Sequence, residues 1–278
     1  MDQLVSTEWL AGEMGASDLR VVDATYFLPD AGRNPRAEYE GGHIPGAVFM
    51  DLAELADPSG DLPNMLPSAE KFASRMQSLG LGDGSRIVLY DDSPLKSSAR
   101  AWWMLNMFGA HSVAILDGGL AKWKAEDRPL ETGKPDLRHR HFTVWKDEKQ
   151  VAKKSDVLAN LHDKGAEVVD ARPKGRFDGT EPEPREDLPS GHIPGSHSTP
   201  HGQFFHEDGT WKTGDELKTV FKDAGVDLDK PMITSCGSGM TAAVPLFAAH
   251  LLGKQDVRLY DGAWSEYGAD KDAPKATA

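Results

Sequence analysis

The chain has 278 residues, enough for one large or two ordinary domains, each with a real core. Acidic residues outnumber basic ones 44 to 31, and the net charge of −13 argues against nonspecific nucleic-acid binding. One cysteine excludes an internal disulfide and any zinc site built on several thiolates, and no apolar run approaches the ~18 residues that span a bilayer. Met1-Asp2-Gln3-Leu4 has neither a basic region nor an apolar core. The expectation is a soluble cytoplasmic protein in a reducing compartment, without membrane or nucleic-acid partners.

In chain order, residues 19–24, 86–90 and 113–116 are short apolar runs ending at Asp or Gly, the pattern of buried parallel strands. Between them, 68–79 and 97–108 carry apolar residues at helical spacing. Pro67-Ser68-Ala69-Glu70 supplies a helix start, and Gly80 and Gly109 supply stops. Residues 131–150 are charged and aperiodic, with Gly133 and Pro135, and read as an interdomain linker. Strand-like runs at 168–171, 232–234 and 257–260 then alternate with helix-like runs at 154–162, 215–224 and 240–252. Pro245 falls inside the last of these, so that helix is expected to kink or to start later. The tail from Asp270 is expected to fray.

The second half repeats the first. Val21-Val22-Asp23-Ala24 recurs as Val168-Val169-Asp170-Ala171, Gly42-His43-Ile44-Pro45-Gly46 as Gly191-His192-Ile193-Pro194-Gly195, and Asp117-Gly118 as Asp261-Gly262. Three ordered matches indicate two copies of one domain. Alternating strands and helices make each copy α/β, a mainly parallel sheet flanked by helices.

Ser235-Cys236-Gly237-Ser238-Gly239-Met240-Thr241-Ala242 holds the cysteine on a glycine-rich turn between a strand and a helix. N–H groups of such a turn converge on one spot, and the helix dipole adds positive potential there, a setting that favours thiolate over thiol. The opposing reading is a buried small hydrophobe, but two glycines beside the thiol leave little to bury it. An ungapped alignment pairs Cys236 with Asp92, in a first-copy loop that carries Pro94 and lacks the glycines. That copy is therefore expected to be inactive. Arg176 and Arg185, in a loop rich in proline and glycine, are candidates to grip one anion; the alternative is that they balance Glu181, Glu183 and Glu186. His43 and His192 occupy the twin turns, so their default role is structural. Trp102, Trp103, Trp123 and Trp264 read as packing.

Cys236 to Ala242 resembles the active-site loop of the 3-mercaptopyruvate sulfurtransferases of the rhodanese superfamily, with Met240 where valine is usual. Gly175-Arg176-Phe177, Glu181-Pro182-Glu183-Pro184-Arg185, the twin His-Ile-Pro-Gly turns, Asp117-Gly118-Gly119 and Asp261-Gly262-Ala263-Trp264 also match. The resemblance implies two tandem rhodanese-like domains: an inactive one over 1–130 with Asp92 in place of cysteine, the linker at 131–150, and a catalytic one over 151–278. It implies that Cys236 takes sulfur from a small-molecule donor and becomes a persulfide. Arg176 and Arg185 would hold the donor, with Gly237, Gly239, Met240 and Thr241 forming the cradle. Ser238 and His43 would act in proton transfer, completed by an aspartate placed at Asp30. No metal or organic cofactor is implied. The acceptor would be cyanide or a thiol, thioredoxin among them.

Three alternatives stand beside this. A thiosulfate sulfurtransferase would be expected to carry basic residues directly after the cysteine, where this chain has Gly237 and Ser238. A cysteine phosphatase would end the loop with arginine, where this chain continues Thr241-Ala242-Ala243-Val244. A non-catalytic sulfur-carrier or binding module would not need an intact cysteine, glycine loop and arginine pair together.

Overall fold

The computed structural model describes residues 1–135 and 137–278. The chain divides into two compact units, Met1–Asp57 with Leu66–Asp147 and Phe205–Trp211, and Pro58–Met65 with Glu148–Phe204 and Lys212–Ala278.

The first unit carries the strands β1 (Leu4–Val5), β2 (Leu19–Asp23), β3 (Val48–Phe49), β4 (Arg86–Tyr90) and β5 (Val113–Leu116). They form a parallel sheet in the order β1-β5-β4-β2-β3. Its helices are α1 (Thr7–Glu13), α2 (Pro35–Gly41), α3 (Leu52–Leu55), α4 (Ala69–Ser78), α5 (Ser98–Met107) and α6 (Gly119–Ala125). All of β5 is buried, as a strand covered on both faces must be. Ser6, Asn34, Asp51 and Ser68 start α1 to α4 by accepting N–H bonds from the first turn. Trp103 and Trp123 are fully buried.

The second unit repeats the plan with β6 (Val151–Ala152), β7 (Glu167–Asp170), β8 (His197–Ser198), β9 (Met232–Ser235) and β10 (Val257–Tyr260), ordered β6-β10-β9-β7-β8 and parallel throughout. Its helices are α7 (Lys154–Asp163), α8 (Lys174–Asp178), α9 (Gly214–Asp223), α10 (Ala243–Leu251) and α11 (Ala263–Tyr267). Val168, Ile233, Tyr260 and Trp264 lie in one core cluster.

Three expectations need correction, and a choice left open at Pro245 is decided. Residues 131–135 and 137–147 are not a linker but an extended strap on the first unit. Glu131 pairs with His43, Trp145 N–H donates to the Phe108 carbonyl (3.0 Å), and Phe142 is buried edge-on to Phe72. Isolated apolar residues anchor an extended strap, so no period shows in its sequence. The tail from Asp270 does not fray: Ala276 bridges His192, and Ala278 N–H reaches the Asp178 carbonyl. Of the two outcomes expected at Pro245, the later start is the one found: α10 begins at Ala243, so the proline falls in its first turn, where no intrahelical bond is lost. Finally, the ladders place Asp23 opposite Tyr90 and Asp170 opposite Ser235, so the residue matching Cys236 is Asp91, not Asp92. The same match follows from Leu120 N–H on the Asp91 carbonyl and Trp264 N–H on the Cys236 carbonyl.

If the strap is part of the first unit's core, Phe142→Ala will destabilise that unit by about 3 kcal/mol, read as a lower urea midpoint. A free linker would leave the midpoint unchanged.

Candidate functional site

The β9 strand delivers Cys236 to the C-terminal edge of the second unit's sheet, where parallel sheets of this kind present ligand sites. The Cys236 side chain is free of disulfide and, contrary to the expectation from its two glycines, buried. Gly239, at φ +80°, makes the reversal before α10, a left-handed conformation that favours glycine. The loop is fixed from below by α11: Trp264 N–H donates to the Cys236 carbonyl (2.9 Å), and Ser265 donates to the Gly237 carbonyl through its N–H (2.9 Å) and its hydroxyl (2.8 Å).

Fixing the carbonyls leaves the donors available. Among the described residues, the N–H groups of Gly237, Ser238, Met240, Thr241 and Ala242 meet no protein acceptor. The matching loop of the first unit is already occupied by its own anion. There the Asp91 carboxylate accepts the N–H groups of Ser93 (2.9 Å) and Ser98 (2.8 Å). Burial pushes the Asp91 carboxyl above the usual carboxylate range, and the bonds from Ser98 and Ser93 oppose that rise. One backbone plan thus binds a carboxylate in the first copy and surrounds a thiol with unused donors in the second.

Charge reaches the cysteine loop through a buried chain of side chains. Asp170 pairs with Arg172 (2.7 Å), Arg172 with Glu183 (2.7 Å), and Glu183 in turn with Arg176. The first three are essentially inaccessible, while Arg176 keeps 20% of its side-chain surface exposed. Burial alone would lower the Arg172 guanidinium, but Asp170 and Glu183 outweigh it and hold the group above its ordinary value. The Arg172 guanidinium also lies 4.5 Å from the centroid of the Trp264 ring. Arg176 Nη2 comes within 2.9 Å of where a Cβ on Gly237 would sit, so glycine there lets the guanidinium close on the loop. Arg176 Nε is buried without a hydrogen-bond partner among the described residues. Arg185 does not join it. It is exposed and pairs with Asp187 (3.1 Å), two residues on.

Ser238 is positioned by a residue the sequence did not point to. Asn64 Nδ2 donates to Ser238 Oγ (3.0 Å) and reaches the Ser238 carbonyl (3.4 Å). The carbonyl can only accept, which fixes the amide orientation. Asn64 is held at φ +59°, which asparagine tolerates better than most residues. His43 and Asp30 form no relay within their unit. His43 is fully buried, stacks on Tyr39 (4.1 Å) and turns Nδ1 to the Tyr39 carbonyl (2.7 Å), while Asp30 lies exposed on a short turn. His192 repeats the arrangement against Phe177, with a stacking distance of 3.8 Å and Nδ1 at 2.8 Å from the carbonyl. A geometry shared by both copies marks the histidine as part of the turn.

Because Glu183 alone joins the two arginines, Glu183→Gln leaves two guanidinium groups short of countercharge. It is expected to cost about 3 kcal/mol in urea unfolding. An unchanged midpoint would show that the chain of charges is not what holds Arg176.

Comparison with known proteins agrees with this architecture. The family model described as a rhodanese-like domain matches residues 6–126 and again 153–270. The chain is 45% identical over 97% of its length to the 3-mercaptopyruvate sulfurtransferase of Escherichia coli K12, of which the match covers 96%. It is 41% identical over 95% of its length to a thiosulfate sulfurtransferase of Cricetulus griseus, 91% of which is covered. The crystal structure of SseA, a 3-mercaptopyruvate sulfotransferase from Escherichia coli, superposes with a TM-score of 0.87 at 43% identity, covering 96% of this chain and all of that one. A duplicated parallel α/β unit, one copy with a cysteine loop and one with an aspartate in its place, therefore belongs to the rhodanese family.

Proposed function

We propose that the chain is a sulfurtransferase that moves the sulfur of 3-mercaptopyruvate to a thiol or to cyanide through a persulfide on Cys236. The observation that carries this reading is the set of unused N–H donors around the only cysteine, with Arg176 closing on Gly237. The Cys236 thiolate attacks the donor sulfur. A sulfur–sulfur bond forms, the carbon–sulfur bond breaks, and its electron pair leaves on carbon as the enolate of pyruvate. The proton of the donor thiol ends on that carbon, giving pyruvate and an anionic persulfide. Loop N–H groups stabilise the charge on the outer sulfur, as Ser93 and Ser98 do for the Asp91 carboxylate. Cyanide or a thiol then attacks the outer sulfur and frees Cys236, so two displacements proceed through one covalent intermediate.

Arg176 is the residue to hold the donor's carboxylate. Its partner Glu183 is shared with Arg172, which leaves guanidinium donors facing the loop. Arg185 would have to leave Asp187 to assist. Ser238 is the candidate for passing the proton. Its oxygen accepts from Asn64, so its own hydrogen is directed elsewhere. The backbone at Gly237, Gly239, Met240 and Thr241 forms the cradle, and His43, with its Nδ1 turned to the Tyr39 carbonyl, is read as part of its own turn.

The donor reading follows from charge. Residues 237–242 carry no ionised side chain, and one partly neutralised guanidinium suits a monocarboxylate better than the thiosulfate dianion. A reduced thiol, thioredoxin among the candidates, suits a reducing cytoplasm as acceptor.

Intact mass after incubation with 3-mercaptopyruvate should show one added sulfur, removed by cyanide and absent in Cys236→Ser. Loading of the Cys236→Ser variant would overturn the assignment. Arg176→Met should raise KM for 3-mercaptopyruvate about 10- to 100-fold, the loss of a charge-assisted hydrogen bond. Asn64→Ala should lower kcat with little change in KM, because it frees the Ser238 hydroxyl without touching the carboxylate site. With cyanide as acceptor, kcat/KM should be higher for 3-mercaptopyruvate than for thiosulfate. The reverse order would assign the chain to the thiosulfate enzymes.

A further inference from the structure

In the second unit Arg172 fills the space at the end of β7. Its guanidinium bonds to both oxygens of Asp170, to Glu183 and to the Gly191 carbonyl (2.7 Å), against the face of Trp264. The first unit keeps the backbone but not the arginine. Asp23 accepts the Thr25 N–H (2.9 Å) as Asp170 accepts the Arg172 N–H (3.0 Å), so Thr25 stands where Arg172 does. Shortening that side chain leaves a cavity of about 310 Å³. Asp23, Thr25, Gly42 and Leu120 line it, the counterparts of Asp170, Arg172, Gly191 and Trp264. Three residues that hold the guanidinium in one copy thus surround open space in the other.

We propose that this cavity binds a small guanidinium cation at the place Arg172 fills in the second unit, with Asp23 as its carboxylate partner. The cations at the cavity are already matched. Arg33 pairs with Glu38 (2.9 Å) and lies over the Phe27 ring, and Lys124 reaches Asp92 (3.4 Å). Asp23 accepts hydrogen bonds from the Thr25 N–H and hydroxyl and from the Tyr90 hydroxyl, none of them charged, and its other neighbours Asp91 and Tyr39 bring no positive charge. Burial raises its carboxyl to about 6, the mark of a carboxylate lacking its cation. A bound guanidinium supplies that charge and fills the volume. The ligand is a guanidino compound, either a free one or the side chain of an arginine on a polypeptide.

Isothermal titration of the full chain with methylguanidinium, at constant ionic strength, tests this. Saturable binding at one site is expected, and tetramethylammonium, which has no N–H donors, should not bind. Binding should strengthen about tenfold from pH 5 to pH 7.5, as the Asp23 carboxyl ionises through about 6. Asp23→Asn should weaken it at least tenfold. Thr25→Arg should abolish it and raise the thermal midpoint, because the chain then carries its own guanidinium there. An unchanged far-ultraviolet circular dichroism spectrum and a retained cooperative thermal transition of the first unit report that each variant is folded. Comparing L-arginine with N-acetyl-L-arginine amide separates a free amino acid from an arginine within a polypeptide. Absence of saturable methylguanidinium binding, equal binding of tetramethylammonium, or unchanged binding in a folded Asp23→Asn or Thr25→Arg chain would overturn the proposal.

Discussion

One buried carboxylate, Glu183, couples two guanidinium groups of the second unit, the buried Arg172 and the Arg176 that closes on the cysteine loop. Taking four charges out of water is costly, and their attraction compensates only when each has a partner in good geometry. The alternation Asp170, Arg172, Glu183, Arg176 meets that condition and ends at the loop after Cys236. Trp264 serves both ends of the arrangement: its ring covers Arg172, and its N–H holds the Cys236 carbonyl. The cation near the cysteine and the shape of the loop are therefore set by the same few side chains.

The two units show how little must change for one backbone to do different work. Both present a strand end, a turn and a helix start at the same place in the sheet order. In the first, an aspartate turns its carboxylate onto the loop's donors, Thr25 replaces an arginine, and Leu120 replaces a tryptophan. Each substitution removes a charge partner or an aromatic face that the second unit uses. What remains is a rigid α/β unit whose loop is satisfied internally.

Much of this was legible in the residues. Continuous apolar runs gave the central strands of each sheet, because strands buried on both faces have no polar side. The repeat gave the duplication, and a lone cysteine followed by two glycines gave the candidate nucleophile. What the sequence hid is instructive. Asn64 bonds to a residue 174 positions away, a pairing that no local pattern encodes. Arg185 shares its motif with Arg176, yet Asp187, two residues on, holds it at the surface. The offset between the copies changes by one residue between β4 and β5, so an ungapped alignment chose Asp92 over Asp91. The strap and the tail lacked any period because they are anchored by single side chains and single carbonyls.

The Asp91 loop has a bearing on how such duplicated enzymes diverge. A cysteine restored at that point would meet a turn that carries Pro94, whose nitrogen has no hydrogen to give, and a Leu95 N–H already bonded to the Ser93 hydroxyl (3.1 Å). Reactivity would return only after several concerted replacements, none useful alone. Specialisation of the first copy works as a ratchet, and its surface is left at liberty to acquire duties unrelated to sulfur.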